Sequence, residues 1–200
     1  MKKYKNKYRT ETTRLKNWDY GANGFYFVTI CTHDRENYFG DIIPNFASPQ
    51  LQPTLIGKIA HQYWSEIPVH FPFVVLDEFV IMPDHVHGIL NFNKPDCRDA
   101  KFCVSATTAM PTTNKFGPQS QNLASVIRGY KAAVKKYATI NNIAFTWQPR
   151  YHDHVVREDR ALQAIRRYIR NNPQKWIDSK NKIMKTQNFT SVTLLPCEHK

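Results

Sequence analysis

Cysteine is scarce and unpatterned in this sequence. The four that occur (Cys31, Cys97, Cys103 and Cys197) are scattered, with no CxxC pair. That spacing excludes a disulfide framework or a cysteine zinc site and points to reduced thiols in a cytoplasmic protein. No apolar run approaches the roughly 20 residues of a membrane span. The opening stretch MKKYKNKYRTETTRLKNW is basic but has no apolar h-region, so it does not read as a signal peptide. No internal repeat is visible. Acid is also short: 16 Asp and Glu stand against 28 Lys and Arg, a net charge of +12. An excess of that size most often serves a polyanion, and nucleic acid is the commonest one. A basic membrane-surface helix fits less well, because no stretch pairs a lysine-rich face with a continuous apolar one.

What is present is a globular composition, 42% hydrophobic and 13% aromatic over 200 residues, enough for one domain with a real core. The segment GFYFVTICT (24–32) alternates and is rich in β-branched and aromatic residues, so it reads as a strand. Apolar residues at helical spacing in 54–68 (Leu55, Ile56, Ile59, Ala60, Tyr63) predict a helix that stops at Pro68. FVVLDEFVIM (73–82) and HVHGILNF (85–92) read as strands joined by a tight turn at Pro83 and Asp84. A basic helix is expected over 120–140, with Leu123, Val126, Ile127, Tyr130 and Val134 on one side. A strand at 152–158 and a helix at 159–173, ended by Pro173, complete the pattern. The order β-α-β-β-α-β predicts an α+β, ferredoxin-like split βαβ sandwich, with helices on one face of a mainly antiparallel sheet. The expected organisation is a single domain over 1–177, with a basic arm (1–23) and a loop insertion (93–119), followed by a polar tail (178–200).

IMPDHVHGIL (81–90) sets two imidazoles into an apolar strand. Side chains alternate faces, so His85 and His87 point one way, while Val86, Gly88 and Leu90 point the other. The pair is close enough to share a metal ion. It could equally be two histidines satisfied by hydrogen bonds in a half-buried sheet. Two ligands leave a metal site incomplete, so a third must come from elsewhere. On the helix at 159–173, Leu162, Ile165 and Ile169 form the apolar stripe. Tyr168 and Asn172 lie beside it, roughly 40° apart around the axis. That placement also suits a core-edge tyrosine and a helix-ending asparagine.

The motifs taken together resemble a known family. MPDHVHGIL is similar to the HUH motif (histidine, hydrophobic, histidine) of single-tyrosine transposases. TWQPRYHDHVVRE followed by IRRYIRNNPQKW resembles the downstream block of REP-associated tyrosine transposases. The resemblance covers roughly 25–177 in order, with 93–119 poorly matched, and implies the HUH endonuclease type of the predicted fold. It also implies His85 and His87 as metal ligands, Asn172 as the third, amide ligand, and Tyr168 as the nucleophile. The implied activity is cleavage of single-stranded DNA beside an imperfect hairpin, leaving a 5′-phosphotyrosine and a free 3′-OH, in DNA transposition or the processing of repeated extragenic palindromes. Asp84 replaces the asparagine usual before the first histidine, a change expected hardly to touch the ligands.

That chemistry suits the residues. A phenol has a reference pKa of about 10, so it needs help to attack at neutral pH. A divalent ion on two imidazoles and an amide can polarise the phosphate. Mg²⁺ is the expected cellular ion and Mn²⁺ suits the nitrogen ligands better, whereas no cysteine or nearby carboxylate completes a zinc site. Lys2, Lys3, Lys5, Lys7, Arg9, Lys131, Lys135 and Arg150 are the expected DNA contacts. Tyr130 reads as core, Trp147 as packing, and His152 and His154 as structural or DNA-proximal. The expected state is a monomer or homodimer, cytoplasmic and nucleoid-associated when bound to DNA. The rival from another class is a domesticated hairpin or single-strand DNA-binding protein that no longer cuts.

Overall fold

The computed structural model describes residues 14–45, 49–95 and 120–181, together with the backbone of 3–4 and 7–8. Two short strands, β1 (Lys3–Tyr4) and β2 (Lys7–Tyr8), pair with each other. Then come β3 (Gly24–Cys31), the hairpin β4 (Gly40–Ile43) and β5 (Gln50–Pro53), α1 (Leu55–Ser65), α2 (Ile67–His70), β6 (Val74–Ile81) and β7 (His85–Phe92). After these follow α3 (Leu123–Ile140), β8 (His152–Val156) and α4 (Asp159–Arg170). Residues 172–181 form one further helical stretch, which crosses the expected boundary between domain and tail. Most of the 93–119 insertion and of the tail lies outside the described residues.

The central sheet has the order β6-β7-β3-β8, with every neighbouring pair antiparallel. β3 and β6 therefore run parallel with β7 inserted between them, the split βαβ arrangement expected from the element order. On β3, Tyr26, Val28 and Ile30 are fully buried on one face. They meet Ile56, Ala60 and Trp64 of α1 and Leu123, Val126, Ile127, Tyr130 and Val134 of α3 in the main core. Local signals start both helices. Thr54 caps α1 by accepting from the Gly57 N–H at 3.1 Å, and Asn122 and Ser125 form a reciprocal capping box on α3. Gly88 is required where β7 passes under α1, since a Cβ there would lie 2.2 Å from the Trp64 ring.

The second face of the sheet is covered too, which corrects the expectation of helices on one side only. α4 places Leu162, Ile165 and Ile169 against Ile89, Val156, Phe25 and Phe27 in a smaller cluster. This explains why β7 is buried along nearly its whole length instead of alternating. Both prolines expected to end helices prove to open new ones. Pro68 lies in the first turn of α2, where a missing N–H is harmless. Pro173 lies in the first turn of the helical stretch 172–181, one residue beyond a break at Asn171.

Candidate active site

The turn between β6 and β7 is pinned to the end of β3. The backbone N–H and the hydroxyl of Thr32 both donate to the Asp84 carbonyl, each at 2.9 Å. The Met82 N–H closes the hairpin on the His85 carbonyl at 2.8 Å. From this start β7 sends His85 and His87 to the α4 face, with ring centroids 4.4 Å apart. Both are buried, at 5% and 6% exposure.

Both imidazoles have Nδ1 engaged. His87 Nδ1 lies 2.8 Å from Thr29 Oγ1, its cross-strand partner on β3. Phe27 stacks on the ring at 5.5 Å. Burial, with smaller contributions from His85 and Arg35, pushes the His87 pKa down to about 3, so the ring is neutral at ordinary pH. In the tautomer whose Nδ1–H donates to Thr29, Nε2 keeps its lone pair. His85 Nδ1 meets Asp84 Oδ1, and Asp84 Oδ2 lies 3.0 Å from Arg35 Nε. Asp84 thus touches the first histidine directly, contrary to the expectation that its identity hardly matters to the ligands. Two buried imidazoles with ring centroids 4.4 Å apart form a donor pair of a kind that suits a divalent cation. Among the described residues no group of three or more His, Cys, Asp and Glu side chains is placed to hold an ion.

α4 brings Tyr168 to the pair. Its hydroxyl lies 3.4 Å from His87 Nε2 and its ring 5.3 Å from that imidazole, edge-on to Phe27. Tyr168 is 39% exposed, so it reaches His87 from the edge of the protein rather than from its core. Lys175 Nζ sits 4.8 Å from the ring centroid. Two ion pairs on another side of α4 hold it to the irregular middle of β6. Arg166 forks onto Asp77, with Nε at 2.9 Å from Oδ1, and Arg170 reaches Glu78 at 2.9 Å. The helix ends at Arg170, Asn171 stays in the right-handed region, and the chain turns helical again at once. Asn172 is buried at 7% exposure. It lies midway along the chain between Tyr168, which touches His87, and Trp176, whose ring is 6.1 Å from His85. Phe27, Thr29, Arg35, Lys175 and Trp176 were not singled out from the sequence. Only the strict alternation of β3 could have placed Phe27 and Thr29 on the histidine face.

The expected DNA contacts separate into groups. Lys131 and Lys135 point their ammonium groups at the backbone of the segment before β8. Lys131 donates to Gln148 O at 2.7 Å and Arg150 O at 2.9 Å, and Lys135 donates to Phe145 O at 2.6 Å. Those bonds tie 145–150 to α3, and burial lowers the Lys131 pKa. Arg150 is exposed. Lys2, Lys5 and Arg9, and the side chains of Lys3 and Lys7, lie outside the described residues. Tyr130 is core as expected: it is 3% exposed, donates to Ala60 O at 3.1 Å, and has its pKa raised by burial. Trp147 packs there too, donating to Lys131 O at 3.1 Å. His152 and His154 are exposed and pair across β3 with Thr29 and Phe27, on the same sheet face as the histidine pair.

With this geometry in hand, comparison with known proteins is informative. No family model matches the chain. A Haemophilus influenzae protein of uncharacterized function is 37% identical over 165 residues, covering 82% of this chain and 87% of the relative. A second H. influenzae protein, with the provisional name REP-associated tyrosine transposase, is 27% identical over 158 residues, covering 78% and 74%. The fold also matches the solved structure of a REP-associated tyrosine transposase bound to a REP hairpin. That match has a TM-score of 0.53 and 17% identity and covers 84% of this chain and 74% of that one. The chain belongs to one family with the uncharacterized H. influenzae protein, and it is similar to the protein provisionally named REP-associated tyrosine transposase. The likeness in fold to the hairpin-bound structure is that of an α+β domain around a four-stranded antiparallel sheet. Among the described residues, no helix is long and apolar enough to cross a membrane.

Proposed function

We propose that the protein is a metal-dependent, single-tyrosine DNA nickase and strand transferase acting on single-stranded DNA beside hairpins. The observation that carries this reading is the approach of the Tyr168 hydroxyl to within 3.4 Å of His87 Nε2, next to a second buried histidine. A tyrosine kept only for packing would not need its hydroxyl beside a nitrogen of a buried imidazole. The named relative and the hairpin-bound structural neighbour support DNA of this kind as the partner.

His85, His87 and Asn172 would hold a divalent cation, Mg²⁺ or Mn²⁺, which supplies charge stabilisation to the phosphate under attack. The Tyr168 oxygen attacks phosphorus and releases its proton to water. The P–O3′ bond breaks, and the departing 3′ oxygen takes up a proton to become a free 3′-OH. The 5′-phosphotyrosine retains the bond energy, so attack by another 3′-OH reverses the step and joins strands without ATP. Phe27 shields one side of His87, and Lys175 adds positive charge beside the tyrosine ring. The net charge of +12 favours DNA as the partner.

The test is incubation of the full chain with end-labelled single-stranded hairpins, with Mn²⁺ or Mg²⁺ or with EDTA, followed by a denaturing gel. Metal-dependent nicking at one position, lost when His85 and His87 are both replaced by alanine while DNA is still bound, is the expected result. Cleavage that ignores EDTA would remove the metal from the reading, and binding without any cleavage would favour the non-cutting alternative.

A further inference from the structure

Asp84 is a carboxylate buried at 4% exposure beside the site, and both of its oxygens are in use. One meets His85 Nδ1 and the other lies 3.0 Å from Arg35 Nε. Its backbone carbonyl accepts from the Thr32 N–H, which fixes the main chain at this position, while the side chain is held by His85 and Arg35. Burying a carboxylate is costly unless a counter-charge accompanies it. Arg35 supplies that charge from a side chain about half exposed, at 53%. It reaches in from an unusual piece of backbone: Asp34 and Arg35 both have positive φ, at 50° and 60°. Two adjacent non-glycine residues in the left-handed region are uncommon and carry strain. Here that strain aims Arg35 at Asp84, and Arg35 Nη1 is steadied by Cys31 Sγ at 2.9 Å.

We infer that Asp84 is a positioning residue for His85, with Arg35 as the charge that keeps it in place. By accepting from Nδ1–H, the carboxylate fixes the ring and leaves Nε2 as the lone pair available to a cation. The inference rests on the metal reading given above. An amide at position 84 could still accept from His85 through its oxygen. Its NH₂ group would then face Arg35 Nε–H, donor against donor. The carboxylate and the arginine are therefore a matched pair, and changing one alone should cost more than changing both.

Mn²⁺ binding to the full chain without DNA, followed by electron paramagnetic resonance, tests this directly. Asp84→Ala should lose about 10- to 100-fold in affinity, the range usual for a lost partner behind a metal ligand. Asp84→Asn, which keeps the size of the side chain and guards against a variant that fails to fold, should lose less. Asp84→Asn combined with Arg35→Gln should recover part of that loss. At alkaline pH, imidazole ¹⁵N shifts should show His85 as the Nδ1–H tautomer in the wild type and as a mixture in Asp84→Ala. Wild-type Mn²⁺ affinity in a folded Asp84→Asn, or an unchanged His85 tautomer in a folded Asp84→Ala, would overturn the inference alone. A wild type that takes up no Mn²⁺ would overturn the metal reading and this inference with it.

Discussion

Replacing Arg166 with glutamine should loosen α4 from β6 and slow cleavage. α4 rests on a small apolar cluster, in which only Leu162 and Ile169 are its buried residues. At about 1.5–3 kcal/mol for each large apolar side chain buried, that leaves room for the ion pairs to matter. The Arg166 and Asp77 side chains are 25% and 13% exposed, intermediate between surface and core. Exposed pairs contribute about 0–1 kcal/mol, and hydrogen bonds to charged groups about 1.5–3 kcal/mol. A coupling of about 1–2 kcal/mol is therefore expected from a double-mutant cycle with Asp77→Asn in urea. It corresponds to about 2–8 °C in Tm for a domain of this size. The pH dependence has a definite sign. The hydrogen bond from Arg166 holds the Asp77 carboxyl below its usual range. The contribution is therefore complete above the ordinary carboxylate range and fades as pH falls through the depressed folded value. Residues 166 and 168 lie about 200° apart around the helix, so the loss of cleavage would act through the placement of α4, while both histidines stay fixed on β7. Coupling of zero at neutral pH, or coupling that survives protonation of Asp77, would refute this account of how Tyr168 is held.

Gly88→Ala should cost about 3 kcal/mol, since its Cβ would lie 2.2 Å from the fully buried Trp64 ring; a thermal melt within error of wild type would contradict the packing described. Tyr130→Phe should lower stability by about 0.5–1.5 kcal/mol through the lost bond to Ala60 O and leave the nicking rate unchanged; a loss of nicking in a folded variant would place Tyr130 in the chemistry. Affinity for hairpin DNA should fall with salt, with a log–log slope of about −0.7 per neutralised phosphate on single strands. A flat salt profile in a filter-binding assay would remove phosphate contact as the main source of affinity.

Strong periodicity was legible. β7 occupies the stretch expected for it, and β3, β6 and β8 agree to within two residues. The hairpin of β4 and β5 was not anticipated, because GDII and QLQP are too short and too polar to show a period. Pro68 and Pro173 were misread because proline is as welcome in the first turn of a helix as it is disruptive further in. The burial of β7 on both faces could not be read from an alternation that both coverings erase. At the site, the histidines and Tyr168 stood out by type and spacing, and the structure brings His85, His87 and Tyr168 together. Arg35 and Trp176 reach the site only through tertiary folding, Arg35 from a strained turn and Trp176 from beyond a helix break. Asp84 was visible in sequence, but its contact with His85 depends on a rotamer that no spacing rule reveals.

The central claim is that Tyr168 forms a covalent bond to DNA. Trapping the reaction of the full chain with a single-stranded hairpin, followed by digestion and mass spectrometry, reads that bond directly. The account predicts a nucleotide adduct on the peptide containing Tyr168. In Tyr168→Phe, which keeps ring volume and the histidine pair, the adduct and the nick should both be absent while hairpin binding remains. An adduct on Tyr130 or Tyr137, or one that persists in Tyr168→Phe, would contradict it.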